Sequence, residues 1–191
     1  MAKSKKTNSF PITFLVICLI LVGGYVFLIT YLPLKYYDLI EEYSEEFGLE
    51  PQLVCTVISA ESRYDEFAVS KVGAMGLMQL MENTALWGAE ELEIEGYSRE
   101  MLFEPHVNIR IGCWYLAKLL DQYNNTETAL AAYNAGSGNV SQWLKNADYS
   151  DDGVTLKKIP FPETDNYLKK INRKTDLYKF LIDYLGGFYG R

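Results

Sequence analysis

Glu61 is the carboxylate whose position in the chain best suits it to chemistry. Leu53, Val57 and Glu61 recur four residues apart, and Val54 and Ile58 flank them on the same helical stripe. The acid therefore points where the apolar face points, toward the interior or a cleft. It also falls in the last turn of the expected helix, where the negative end of the dipole disfavours an ionised carboxylate. That field and partial desolvation both push its pKa upward. An acid that keeps its proton near neutral pH is what general-acid cleavage of a glycosidic bond requires. The plainer alternative is a buried glutamate paired with Arg63 or a backbone group.

Three further stretches carry residues suited to a ligand. AVSKVGAMGLMQLM sets Gly73 and Gly76 beside Gln79, which lets backbone approach a ligand while an amide reads hydroxyls. AAYNAGSGNV puts Tyr133 and Asn134 at a helix end, ahead of Gly136 and Gly138. KIPFPETDNYLKKI places Glu163 and Tyr167 on one face of the first turn of the last helix. Singly, each has an ordinary explanation. Met75, Met78 and Met81 fill a core, Tyr133 is a buried aromatic, and Glu163 complements a helix N-terminus.

Composition narrows the chemistry. The 191 residues hold 18 basic and 25 acidic side chains, for a net charge of −7, and this argues against a nucleic-acid partner bound through phosphates. His106 is the one histidine, and Cys18, Cys55 and Cys113 show no CxxC spacing, so no metal or other cofactor is expected. A serine triad would have to run through His106, and no G-x-S-x-G accompanies it. Carboxylates, amides, hydroxyls and tyrosines remain.

The elements that must position these groups fall into two parts. No formal charge occurs between Lys6 and Lys35. Ile12 to Leu32 as a helix is about 21 residues, or roughly 31 Å, enough to cross a bilayer core. The apolar run is too long for a signal peptide, and no A-x-A-like site ends it. Lys3, Lys5 and Lys6 predict a cytoplasmic tail over 1–9 and a transmembrane helix over 10–34, with residues 35–191 outside. That outer part has 15 basic and 25 acidic residues and is long enough for one core.

Its periodicity is helical almost throughout, with no internal repeat. Helices are predicted from Tyr36 to Phe47 with Gly48 as cap, from Pro51 through Glu61, in short pieces through Leu92, and from about Asn108 to Tyr123 after a break at Pro105. Another runs from a Thr126 cap to Gly136, and the last from about Glu163 to Leu185. Loops are expected over 64–76 and 146–152. Cys55 and Cys113 are expected either as a disulfide or as two buried thiols.

Taken together and in order, these segments resemble the catalytic domain of the SLT-type lytic transglycosylases, murein-cleaving enzymes with a lysozyme-like fold. The matching residues are Glu61-Ser62; Ala68 and Ser70 before Gly73-Ala74 and Gly76-Leu77-Met78-Gln79; Glu104-Pro105 with Asn108-Ile109 and Gly112; Ala132 through Gly136; and Ile159-Pro160 with Glu163-Thr164 and Tyr167. They span roughly residues 40–180, a far more specific signal than one short motif. Glu82 departs from the pattern, standing where members often carry proline.

The resemblance implies an all-α, lysozyme-like multi-helix domain with a substrate cleft, preceded here by the N-terminal span. It implies cleavage of the β-1,4 bond between N-acetylmuramic acid and N-acetylglucosamine in peptidoglycan glycan strands, leaving a 1,6-anhydro end. Glu61 would be the catalytic acid and then base, with Ser62, Gln79, Tyr133, Asn134, Glu163 and Tyr167 binding substrate. A hydrolytic muramidase would need a second carboxylate, with Asp65, Glu66 and Glu82 as candidates. A third reading is an inactive wall-binding module that keeps the cleft.

Overall fold

The structure is a computed structural model that describes residues 10–31 and 35–189, with side chains at 13–24 and 35–184. It divides into two units, Met1–Leu34 and Lys35–Arg191. The first contains α1 (Phe10–Tyr31), 22 residues without a charged side chain. Phe14–Ile17 and Leu19–Val22 are apolar and exposed. Among the described residues no helix is long and apolar enough to cross a membrane. The predicted crossing over 10–34 is therefore met only by an apolar helix. The predicted cytoplasmic tail, with Lys3, Lys5 and Lys6, and the end of the span at 32–34 lie outside the described residues.

The second unit is all-helical: α2 (Tyr37–Phe47), α3 (Pro51–Glu61), α4 (Glu82–Glu91), a 3-10 helix (Arg99–Phe103), α5 (Pro105–Tyr123), α6 (Thr126–Ala135), α7 (Ser137–Leu144) and α8 (Pro162–Tyr189). Two isolated bridges, Val69 with Met75 and Met75 with Leu80, are the only β pairing among the described residues. α5 is the hub and packs against α2, α4 and α6, while α3 lies against α8. Ile109, Ile111, Leu116 and Leu119 of α5, Val54, Val57 and Ile58 of α3, and Ile171 and Leu181 of α8 are buried. Each such side chain contributes about 1.5–3 kcal/mol. The same stripe that anchors α3 thus fixes the direction of Glu61.

Three boundaries differ from the sequence reading. Pro105 begins α5 rather than breaking the chain, because the first helical position has no intrahelical use for an N–H. Asn125, not Thr126, caps α6, its Oδ1 accepting from the Thr128 N–H at 2.9 Å. Gly136, at φ 88°, ends α6 as expected, yet α7 starts at the very next residue. Gly138 and Asn139 hid that helix; their low propensity is tolerated in a first turn held by tertiary contacts. Cys55 and Cys113 are free and buried. Burial pushes the Cys55 thiol up to about 12, so neither redox nor ligand chemistry is open to it.

Candidate active site

Glu61 is the last residue of α3, and the helix closes when the Ser62 N–H donates to the Ile58 carbonyl at 3.0 Å. Its carboxyl lines a cavity of about 330 Å³ together with Ala60, Ser70, Gln79, Asn134, Glu163, Asn166, Tyr167 and Lys170. The side chain keeps an opening to that cavity but is otherwise enclosed by protein. This enclosure raises its pKa to about 7; Tyr167 and Lys170 oppose the shift, and Glu163 adds to it. The Tyr167 hydroxyl is buried without a hydrogen-bond partner. It stands too loosely beside Glu61 for a formed bond, yet close enough to favour the carboxylate.

A second cavity of about 240 Å³ adjoins the first and shares Gln79 and Asn134 with it. Tyr115, Tyr133, Thr84 and Gly136 complete much of its wall. The Tyr115 and Tyr133 rings stand 5.5 Å apart, and both offer the faces on which sugars stack. The Tyr133 hydroxyl donates to the Met78 carbonyl at 2.8 Å.

The loop between α3 and α4 is shaped by buried polar bonds. Asn108 of α5 accepts from the Met78 N–H at 2.8 Å and donates to the carbonyls of Met75 at 3.0 Å and Leu102 at 2.8 Å. Gly76 has φ 74°, and a Cβ there would lie 2.2 Å from both the Leu102 carbonyl oxygen and Asn108 Nδ2. Only glycine fits. Gln79 follows with φ 48°, an unusual conformation for a residue with a side chain. Its Nε2 donates to the carbonyls of Ala68 at 3.1 Å and Gly76 at 3.0 Å. Those bonds occupy the amide's donors and leave Oε1 as an acceptor.

Asn134 is set the other way. Thr164, buried at the start of α8, donates its hydroxyl to Asn134 Oδ1 at 2.8 Å, which leaves the Nδ2 protons available. Gln79 and Asn134, both lining both cavities, therefore present an acceptor and a donor side by side. That pair complements an acetamido group, which has one N–H and one carbonyl.

Of the seven site residues singled out from the sequence, Glu61, Gln79, Asn134, Glu163 and Tyr167 line the first cavity and Tyr133 the second. Ser62 lines neither; its hydroxyl turns back to the Ile58 carbonyl at 3.4 Å. Asp65 and Glu82 are exposed, and Glu66 is held by Lys35 at 2.9 Å. The carboxylate that shares the cavity with Glu61 is Glu163. Asn166 and Lys170 join the wall unanticipated. Their signal was the helical spacing from Glu163, which puts residues three and seven further on along one face. Among the described residues no group of three His, Cys, Asp or Glu side chains is arranged to hold a metal ion.

A lone proton-holding carboxylic acid at the end of a buried helix, facing an amide-lined groove in an all-helical domain, defines a glycan-cleaving class of site. Residues 38–154, more than half of the chain, match the family described as Transglycosylase SLT domain, and the chain belongs to that family. It is 36% identical over 153 residues to the soluble lytic murein transglycosylase of Escherichia coli K12, covering 78% of this chain and 24% of that one. It is 31% identical over 173 residues to the membrane-bound lytic murein transglycosylase C of Edwardsiella ictaluri, covering 76% and 46%. The structure of an inactive mutant of the lytic transglycosylase Slt from Pseudomonas aeruginosa aligns with a TM-score of 0.73 and 34% identity. That alignment covers 82% of this chain and 26% of the other. The chain thus spans from a quarter to under half the length of these relatives.

Proposed function

We propose that this protein is a lytic murein transglycosylase in which Glu61 acts first as acid and then as base. The observation that carries the reading is the enclosed Glu61, with a pKa raised to about 7, in the cavity lined by Gln79 and Asn134. Protonated Glu61 gives its proton to the bridging oxygen of the β-1,4 bond between N-acetylmuramic acid and N-acetylglucosamine. The carbonyl oxygen of the muramyl acetamido group, oriented by Gln79 and Asn134, attacks the anomeric carbon as the leaving sugar departs. Glu61, now a carboxylate steadied by Tyr167 and Lys170, takes the proton of the C6 hydroxyl. That oxygen displaces the acetamido oxygen and closes the 1,6-anhydro ring. Tyr133 braces the Gln79 loop, and Glu163 forms the far wall.

A hydrolytic muramidase is the second reading, favoured by Glu163 in the same cavity. Mass analysis of murein digested by the purified chain separates the two. Anhydro products, one water lighter than reducing ends, support the proposal; reducing ends overturn it.

The N-terminal segment holds the domain at a membrane in this reading. Support comes from the uncharged run between Lys6 and Lys35 and the exposed apolar side chains of α1. Membrane-bound lytic murein transglycosylase C relatives point the same way. The lysines ahead of the run would keep the N-terminus cytoplasmic and the domain outside. Recovery of the full chain from cells in the carbonate-soluble fraction would remove this part.

A further inference from the structure

Arg63, Lys170 and Lys174 gather at the seam of α3 and α8, at the edge of the cavity that holds Glu61. Lys170 lines that cavity, and its ammonium donates to the Ala60 carbonyl at the end of α3. Lys174, one turn further along α8, donates to Ser59 Oγ at 2.6 Å. Arg63 stands two residues beyond Glu61 with φ 57°, exposed, and its charge is felt at both lysines. None of the three makes an ion pair with a carboxylate among the described residues. Both lysines have lowered pKa values, through burial first and the neighbouring cations next. Such a grouping repels itself, and an anion placed among its members relieves the repulsion.

Glu61 cannot be the standing counter-ion, because it must carry a proton for the reaction to start. The N-acetylated sugars of a glycan strand bring no charge either. The peptide that branches from each muramyl residue does, through its free carboxylates. We infer that Arg63, Lys170 and Lys174 form a subsite for a carboxylate of the peptide on the muramyl residue seated against Glu61. The inference rests on the murein-cleaving reading above and adds a substrate feature: charged peptide rather than bare glycan.

The test is calorimetric titration of the full-length Glu61→Gln chain in detergent with soluble N-acetylmuramyl peptides, carboxylates either free or amidated. The free form is expected to bind about fivefold tighter, the scale of one exposed charge pair. Lys174→Gln, which keeps a donor for Ser59, and Arg63→Gln, each added to that chain, should shrink the preference. Equal binding of both forms, or a preference that survives both substitutions, overturns the subsite. Cleavage of murein by the parent chain is scored separately. Cleavage without any binding preference removes only the subsite, while absence of all cleavage removes the enzymatic reading and leaves the titration to decide the subsite.

Discussion

The Tyr133 hydroxyl donates to the Met78 carbonyl at 2.8 Å and so ties the end of α6 to the loop that carries Gln79. Tyr133→Phe keeps the ring and deletes the bond, leaving a buried carbonyl without its partner at a cost of about 1–3 kcal/mol. Gln79, at φ 48° in the next residue, loses its brace. We expect murein cleavage to fall about 10–100-fold, more than the modest drop in Tm would account for. Digestion of murein at the parent's rate would show that the bond positions nothing.

Glu61→Gln should be more stable than the parent in alkali and equal to it in acid. The folded-state pKa is raised, to about 7 from an ordinary 4.5, so the unfolded chain ionises first. Parent stability therefore declines as pH climbs from about 4.5 to about 7 and stays lower beyond. The loss is on the order of 3 kcal/mol. The amide suffers no such loss. Its Tm should exceed the parent's at pH 8 and match it at pH 4, while cleavage falls about 10²–10⁴-fold. A Tm difference that is the same at both pH values would mean that Glu61 ionises freely.

Much of this arrangement was legible in the chain because it follows from local rules. The four-residue recurrence of Leu53, Val57 and Glu61 needs only a helix, and the structure closes α3 at Glu61. Glu163 and Tyr167 share a face of α8 for the same reason. The opposed settings of Gln79 and Asn134 were not legible. They depend on hydrogen bonds to Ala68, Gly76 and Thr164, one of them joining residues 30 positions apart. Ser62 was misleading because adjacency to Glu61 in sequence says little about direction in the capping turn, where its hydroxyl turns back to Ile58. Lys170 escaped notice among the many lysines of α8; only the packing of α3 on α8 distinguishes it.

Gly73 and Gly76 both adopt positive φ, but only one is hemmed in. A Cβ at Gly73 would meet nothing within 4 Å, whereas at Gly76 it would collide with the Leu102 carbonyl and Asn108. Gly73→Ala should therefore cost only left-handed strain, about 1–2 kcal/mol. Gly76→Ala adds a backbone collision and disturbs the three Asn108 bonds, so a loss beyond about 4 kcal/mol is expected. Urea unfolding of the two variants gives the comparison. Equal losses would mean that the Asn108 junction yields easily.

The alkaline limb of the activity profile should move in opposite directions for two neighbours of Glu61. The groups facing the acid are Glu163, Tyr167 and Lys170 from α8 and Tyr133 from α6. Cleavage begins with protonated Glu61, so kcat/KM should fall as pH rises past about 7. Lys170 favours the carboxylate, so Lys170→Gln raises the pKa of Glu61 and carries the limb to higher pH. Glu163 repels the carboxylate, so Glu163→Gln lowers that pKa and carries the limb to lower pH. Either variant may lose rate through weaker substrate contacts, but a lost contact scales the whole profile and leaves its midpoint in place. Two midpoints that move together, or not at all, would show that the group titrating in the rate is not Glu61.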